Sequence, residues 1–195
     1  MKFFYKVAEG IDAMPLMLAI QRQPHLWDAN RQRTTRPNTA HADVSDIWLR
    51  FQSSKETDDF ATGQKPHLSV WYPAYYALPE VRPIVFGLMA RVEGEQLGGV
   101  LITKIPPGGK IDPHTDSGWH VDFYSKFYVS LISRPGANFY CGDEASGVEK
   151  ICPAVGDVWY FDNTKPHWVE NDSDDDRVTL ICCIRTHHFG AAAWS

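Results

Sequence analysis

The chain from about Gly98 onward consists of short strand patterns separated by turn residues. These segments are rich in β-branched and aromatic residues, and Gly, Pro, Asp and Asn lie between them. The predicted strands are residues 100–105, 127–133, 138–141, 148–152, 158–161, 167–170 and 178–185. Short strands at regular spacing are typical of a β-sandwich or barrel. We therefore predict a mainly β fold with flanking helices.

The first half of the chain has a different pattern of apolar residues. Apolar residues recur at helical spacing in residues 12–21 and 79–95, which predicts two helices. Residues 44–51 alternate between apolar and polar and predict a strand, residues 55–61 predict one or two helical turns, and residues 31–38 predict a polar loop.

Composition excludes several classes of function. The net charge is −5 with no basic cluster, so we expect no nucleic-acid partner. The four cysteines lack zinc-finger spacing and are expected to be free thiols in a reducing compartment. No long apolar stretch follows the N-terminus, so we expect neither a signal peptide nor a membrane span, and a cytoplasmic location.

Two separated motifs carry the chemistry. His114 and Asp116 form a His-x-Asp triplet after a Gly/Pro turn, and His167 lies far downstream before another strand pattern. In a strand, alternate residues point to the same side, so His114 and Asp116 are expected to share one ligand. Two histidines and one carboxylate form the facial triad that binds Fe(II) and leaves other positions open.

A His-x-Asp triplet also arises by chance, and ordinary hydrogen-bonding residues are the alternative interpretation. A second triplet, His41 to Asp43, lies in a polar loop without a comparable downstream histidine. His41 is therefore predicted to be a turn or cap residue, with a contribution to the mouth of a pocket as the other possibility.

Arg177 opens the apolar strand pattern 178–185. Its guanidinium fork matches a carboxylate with two parallel hydrogen bonds. The alternative is an ion pair with the acidic turn at residues 174–176. The spacing from His167 allows one strand, a turn and entry into an antiparallel neighbour, which would turn both side chains to one cavity.

The runs at residues 101–116, 156–171 and 176–181 together resemble the aspartyl/asparaginyl β-hydroxylase family. That resemblance implies a double-stranded β-helix, which is a jelly-roll or cupin-like barrel, and an Fe(II)- and 2-oxoglutarate-dependent dioxygenase that consumes O2. It implies that His114, Asp116 and His167 bind iron, and that Arg177 pairs with the distal carboxylate of 2-oxoglutarate.

Three further positions follow from the same resemblance. Thr103 matches a hydroxyl position that contacts the distal carboxylate. The family often carries Arg-x-His on the strand after the His-x-Asp triplet, where this chain has Lys126 and Tyr128. Lys126 would provide the charge and Tyr128 a hydroxyl for the carboxylate nearest the metal. Barrel packing is the alternative for Thr103 and Tyr128.

The implied reaction is hydroxylation of an Asp- or Asn-like side chain in a protein, a peptide or a small molecule. The alternatives are a cupin-like metal-binding sensor, or a jelly-roll isomerase or epimerase in which Arg177 binds a sugar phosphate. We expect one compact domain, in which residues 1–97 pack on the barrel and contribute to the substrate side, and residues 98–195 form the catalytic core.

Other polar residues have two interpretations each. Those that follow the triplet would line the substrate mouth or belong to a rim loop, and they are Trp119, His120 and Asp122. His187 and His188 are expected to lie in a solvated terminus.

Overall fold

The computed structural model describes residues 1–53 and 66–187. The strands are β1 (Phe4–Ala8), β2 (Ser45–Phe51), β3 (Val70–Trp71), β4 (Gln96–Ile105), β5 (Lys110–His114), β6 (Ser125–Ile132), β7 (Ala137–Asp143), β8 (Gly147–Ile151), β9 (Val158–Phe161), β10 (His167–Asn171) and β11 (Arg177–Arg185). The helices are α1 (Met14–Gln21), a 3₁₀ helix at Pro24–Leu26, α2 (Pro73–Ala77), α3 (Val81–Arg91) and α4 (Trp119–Phe123). The predicted mainly β fold with flanking helices is confirmed.

The strands form two antiparallel sheets. The larger sheet has the order β1-β9-β6-β11-β4-β2-β3, and the smaller sheet has the order β5-β10-β7-β8. Side chains from both sheets share one apolar cluster, which includes Ile105 and Phe161 of the larger sheet and Phe139 and Val169 of the smaller sheet. The two sheets therefore face each other across the interior of a jelly-roll barrel.

The other face of the larger sheet packs against the helices. A second and larger cluster joins Leu16 of α1 and Val85 of α3 to Ile102 of β4 and Leu180 of β11. Because side chains alternate along a strand, each central strand sends one set of residues to the helices and the other to the barrel interior.

The two predicted helices are present but shorter than the sequence predicts, and α2, α4 and the 3₁₀ helix were not predicted. α1 begins at Met14, although the Asp12 side chain still accepts a hydrogen bond from the Met14 amide at 3.1 Å. α3 ends at Arg91, and Glu93 adopts a positive φ of 50°, which no helix can continue. The helical turns predicted at residues 55–61 lie outside the described residues.

Three strands were not predicted, namely β1, β3 and β5. β5 contains Pro113 between polar residues, a combination that argues against a strand unless the strand pairs along a limited stretch. The Gly/Pro turn predicted before His114 is confirmed at residues 106–109, since the Gly109 amide donates to the Pro106 carbonyl at 2.9 Å.

Residues before 98 also enter the larger sheet, because β1 pairs with β9 and β2 pairs with β4. The division at residues 97 and 98 stays a prediction. None of the described helices is long and apolar enough to cross a membrane.

Candidate metal centre and active site

His114, Asp116 and His167 converge on one point. One ligand atom from each of the three residues lies within 4.8 Å of the other two. The Nε2 atoms of His114 and His167 lie 3.9 Å and 3.7 Å from the two carboxylate oxygens of Asp116. The pairing of β5 with β10 accounts for the approach of the histidines, because His114 lies directly opposite His167 in that register.

Asp116 was predicted to lie on the same strand as His114, and the structure places it differently. β5 ends at His114, so the two residues do not share a strand, and Asp116 lies in the irregular segment before α4. The carboxylate is held instead by two side-chain contacts to its Oδ2 atom. The Lys126 ammonium contacts it directly, and the Asn163 amide donates at 3.4 Å.

Both histidines present the nitrogen that a metal requires. The Nδ1 atom of His114 lies 2.8 Å from the Asp112 carbonyl oxygen, and that of His167 lies 2.9 Å from the Lys165 carbonyl oxygen. A carbonyl oxygen accepts and never donates, so each Nδ1 carries the proton. The lone pair of each neutral imidazole is then at Nε2, on the side of Asp116.

The protonation states agree with a metal-binding role. Burial lowers the pKa of His167 to about 4, which leaves the ring neutral at physiological pH. Burial alone would raise the pKa of Asp116, but Lys126 and His167 hold it well below its ordinary value. Two imidazole nitrogens and an ionised carboxylate form the N,N,O donor set of non-haem Fe(II), so these residues fit that ion.

Lys126 extends from β6 into the barrel interior, while its neighbour Phe127 packs on the helix side. Burial would lower the pKa of Lys126, but the contact with Asp116 raises it above its ordinary value. The ammonium therefore stays charged beside the carboxylate.

Arg177 lies inside the barrel, but not through the pairing that the sequence suggested. β10 pairs with β5 and β7, and β11 pairs with β4 and β6, so the chain crosses from one sheet to the other between them. His167 and Arg177 are nonetheless close to one ring, because Phe139 lies 6.4 Å from the His167 ring and 5.8 Å from the guanidinium. Both side chains therefore lie in the barrel interior, on β10 and β11 of opposite sheets.

The guanidinium of Arg177 is buried, at 4% residue exposure, and forms no ion pair with the part of the chain that the structure describes. The acidic turn that was the alternative partner is engaged elsewhere: Asp175 pairs with Arg134 and Asp176 with Lys104. Burial lowers the pKa of Arg177 to about 10, so the side chain remains a cation. A buried cation without a counter-ion is suited to an anionic ligand.

Tyr128 and Thr103 lie on the same interior face. The Tyr128 ring stacks on Phe139 with centroids 5.2 Å apart, and burial raises the pKa of its hydroxyl. Thr103 is buried on β4 opposite Thr179, whose carbonyl lies 3.5 Å from the Thr103 hydroxyl.

A sequence model of the aspartyl/asparaginyl β-hydroxylase family matches residues 26–186. The chain belongs to this family. It is therefore a 2-oxoglutarate-dependent dioxygenase, with Fe(II) as cofactor and 2-oxoglutarate and O2 as co-substrates, as the resemblance implied.

Solved structures with a similar fold span most of the chain. A prolyl-4-hydroxylase from Pseudomonas putida is 15% identical, with a TM-score of 0.55, over 96% of this chain and 94% of that one. A prolyl hydroxylase from Trichoplax adhaerens, in complex with a peptide of hypoxia inducible factor, is 11% identical, with a TM-score of 0.60, over 95% and 84%. The α-ketoglutarate-dependent epimerase SnoN of nogalamycin biosynthesis is 11% identical, with a TM-score of 0.61, over 95% and 78%. No curated protein matches the sequence. These likenesses confirm the barrel fold of this β-hydroxylase family member.

A cavity of about 390 Å³ lies beside the metal centre of the dioxygenase. Asp116 and Lys126 line it on the metal side, and the other polar residues of its lining include Arg33, His41, His67 and His120. Burial lowers the pKa of His41 to about 2 and that of His120 to about 4, with Arg33 and Lys126 contributing positive charge, so both rings are neutral.

The remaining candidates are divided between structural and pocket positions. Asp43 accepts a hydrogen bond from the Lys110 amide at 3.2 Å, which ties the loop to β5. Trp119, His120 and Asp122 belong to α4, and His120 lines the cavity. His187 is exposed and contacts Glu95, and His188 lies outside the described residues.

Asn163 was missed. It follows Asp162 in a turn, and an Asn in such a position is ordinarily explained by turn geometry. Its burial at 5% exposure and its contact with Asp116 depend on tertiary structure and leave no local sequence signal.

Proposed function

We propose that this dioxygenase hydroxylates an Asp- or Asn-like side chain in a protein, a peptide or a small molecule, with Fe(II) bound by His114, Asp116 and His167. The observation that carries the proposal is the convergence of the three ligand atoms within 4.8 Å. The Nδ1 hydrogen bonds of the two histidines support it, because they direct both free lone pairs to one side.

The co-substrate is assigned to the interior face. Arg177 would receive the distal carboxylate of 2-oxoglutarate, because it is a buried cation whose charge the described residues leave unpaired. Thr103 would add a hydroxyl to that carboxylate, and Lys126 and Tyr128 would contact the carboxylate nearest the metal. The Lys126 contact with Asp116 supports this placement, since it brings the ammonium to the metal centre.

Bound iron and 2-oxoglutarate supply the activation of O2 for attack on a C–H bond. The residues of the chain supply binding and orientation. Lys126 and Asn163 restrain the Asp116 carboxylate through Oδ2, and aromatic rings such as Phe139 and Phe161 exclude water around His167.

We propose further that residues 98–195 form the catalytic core and that residues 1–97 contribute to the substrate side. Support comes from the cavity beside the metal centre, because its lining includes His41 and His67 from the first part and Asp116 and Lys126 from the second.

The proposal is tested by incubating the purified protein with Fe(II), 2-oxoglutarate and O2 and measuring succinate. Candidate Asp- and Asn-containing peptides, and the free amino acids, are then analysed by mass spectrometry for the gain of an oxygen atom. We expect succinate release that requires Fe(II), 2-oxoglutarate and O2 and is lost in His114→Ala. Tight binding of the metal without 2-oxoglutarate turnover would contradict the proposal and favour a metal-binding sensor.

A further inference from the structure

The cavity beside the metal centre lies on the same interior face of β11 as Arg177 but further along the strand, where Ile181 and Cys183 line it. Asp116 and Lys126 border it, whereas Arg177, Thr103 and Tyr128 are not among its described lining residues. Its volume of about 390 Å³ is within the range of ligand pockets. A ligand in this cavity would approach the metal centre without occupying the position assigned to the distal end of 2-oxoglutarate.

His41 is held in this cavity by the backbone on both sides. The Asp112 amide of β5 donates to the Ala40 carbonyl at 3.1 Å, and the Val44 amide donates to the His41 carbonyl at 3.2 Å. The loop is also anchored by Arg33, which forms a two-pronged ion pair with buried Asp46 at 2.7 and 2.9 Å. The His41 ring consequently lies edge-on to the His114 ring, with centroids 5.0 Å apart.

The hydrogen bonds of His41 are incomplete. Its Nδ1 atom is buried without a hydrogen-bond partner, and its Nε2 atom forms no hydrogen bond with the described residues. The buried Nδ1 atom has no acceptor to which it could donate, and a buried donor without a partner is costly in free energy. The proton then belongs at Nε2, where the ring can donate to a ligand.

Among the residues that the structure describes, the charged side chains that line the cavity are mostly cations. They are Arg33, Arg36 and Lys126, with one carboxylate, Asp116, which is assigned to the metal. A ligand suited to this lining carries oxygen acceptors.

We propose that the cavity is the substrate site and that His41 is a specificity-determining residue, which donates a hydrogen bond from Nε2 to a carboxylate or carboxamide oxygen of the substrate. This inference rests on the proposed function, and it adds a recognition group that lies outside the metal and 2-oxoglutarate positions.

The test compares two variants of similar size. Gln places an amide near the position of Nε2, and Leu fills the space without a polar group, so His41→Gln retains the interaction and His41→Leu removes it. The protein is loaded with Fe(II) and 2-oxoglutarate without oxygen. It is then titrated with N-acetyl-L-aspartate amide and N-acetyl-L-asparagine amide, and with the 2-aminobutyrate analogue, which lacks the side-chain oxygens. Binding is followed by calorimetry and by the visible charge-transfer band of the complex.

We expect the two oxygen-bearing compounds to bind and the analogue to bind more weakly. His41→Leu should weaken their binding by about 10- to 100-fold, His41→Gln should restore most of it, and neither should change the affinity for 2-oxoglutarate. His25→Leu, at an exposed histidine of the 3₁₀ helix, serves as the matched control.

Three results would overturn the inference: equal binding by the wild type and His41→Leu, failure of both oxygen-bearing compounds to bind, or equal losses of metal or 2-oxoglutarate affinity in both variants. The last result would show that His41 only supports His114. Succinate release by the wild type is measured in parallel. If the wild type releases succinate, any of these three results contradicts only the assignment of the substrate site. If the wild type releases no succinate, the proposed function itself fails.

Discussion

The two faces of the larger sheet differ in chemistry although they belong to the same strands. On β11, the residues that face the helices are apolar or thiol side chains in the large cluster, namely Val178, Leu180, Cys182 and Ile184. The alternating residues that face the barrel interior are Arg177, Thr179, Ile181 and Cys183. β6 repeats the pattern, with Phe127 and Val129 toward the helices and Lys126 and Tyr128 toward the interior.

This difference separates stability from function. Burial of a Leu or Ile side chain contributes about 1.5 to 3 kcal/mol, so the helix-facing side accounts for much of the free energy of folding. Burial of Lys126 and Arg177 costs free energy until each charge is paired. Lys126 already has Asp116, and we propose that Arg177 obtains its partner when 2-oxoglutarate binds. Substitutions on the two faces should therefore affect different measurements.

The largest effect is expected at the metal centre. His167→Ala should abolish measurable binding of Fe(II), because two donors cannot replace the three-residue set. Metal binding is measured by anaerobic calorimetry, and folding by thermal unfolding monitored with circular dichroism. His25→Ala is the control at an exposed position. A folded His167→Ala protein with wild-type metal affinity would contradict the site.

On the helix-facing side, Leu180→Ala should lower the free energy of unfolding by about 2 to 5 kcal/mol, because a fully buried side chain leaves a cavity in the large cluster. The folded variant should keep its metal and 2-oxoglutarate affinities. Urea denaturation measures the first quantity and calorimetry the second. Ile181→Ala, one residue along the strand and partly exposed in the interior cavity, should lose less stability. Equal losses would remove the distinction between the faces.

Much of this architecture could be predicted from the sequence, because most strands are marked by patterns within the strand itself. Strands β4, β6, β7, β8, β9, β10 and β11 each overlap a predicted segment, since periodicity and turn residues mark them directly. β5 was not predicted because Pro113 and its charged neighbours are not typical of a strand, although β5 pairs with β10. The positions of His114 and His167 were predictable as motifs, but their approach depends on that pairing.

The features that were missed depend on contacts between distant segments. Lys126 was predicted to lie near the metal side, but its ion pair with Asp116 could not be read from residues ten apart on different elements. His41 was left as a turn residue or a pocket residue, and it is both, because the loop is tied to β5 by a backbone hydrogen bond. Asn163 is explained locally by a turn, so its contact with Asp116 was invisible.

On the interior side, Arg177→Met should weaken the binding of 2-oxoglutarate by about 10- to 100-fold, because hydrogen bonds to a charged group contribute about 1.5 to 3 kcal/mol. Calorimetry of the metal-loaded protein measures the affinity. Arg185→Met is the matched control, since Arg185 lies at the other end of the same strand and pairs with Glu95 at 3.1 Å. If the two variants bind 2-oxoglutarate equally well, Arg177 is not the residue that holds it.

The smallest effect, and the sharpest comparison, involves two neighbouring residues on β11. Cys182 lies in the large apolar cluster and Cys183 lines the cavity beside the metal centre. Cys182→Ser should lower the free energy of unfolding by about 1 kcal/mol or more, because it buries a hydroxyl among apolar groups. Cys183→Ser should cost less, since its side chain already faces polar groups such as Lys126. Parallel urea denaturation of the two variants measures the difference. The two residues are adjacent on one strand and differ in the face to which the side chain points. Equal or reversed losses in the free energy of unfolding would therefore mean that the helix-facing side of β11 does not contribute more to stability than the interior side.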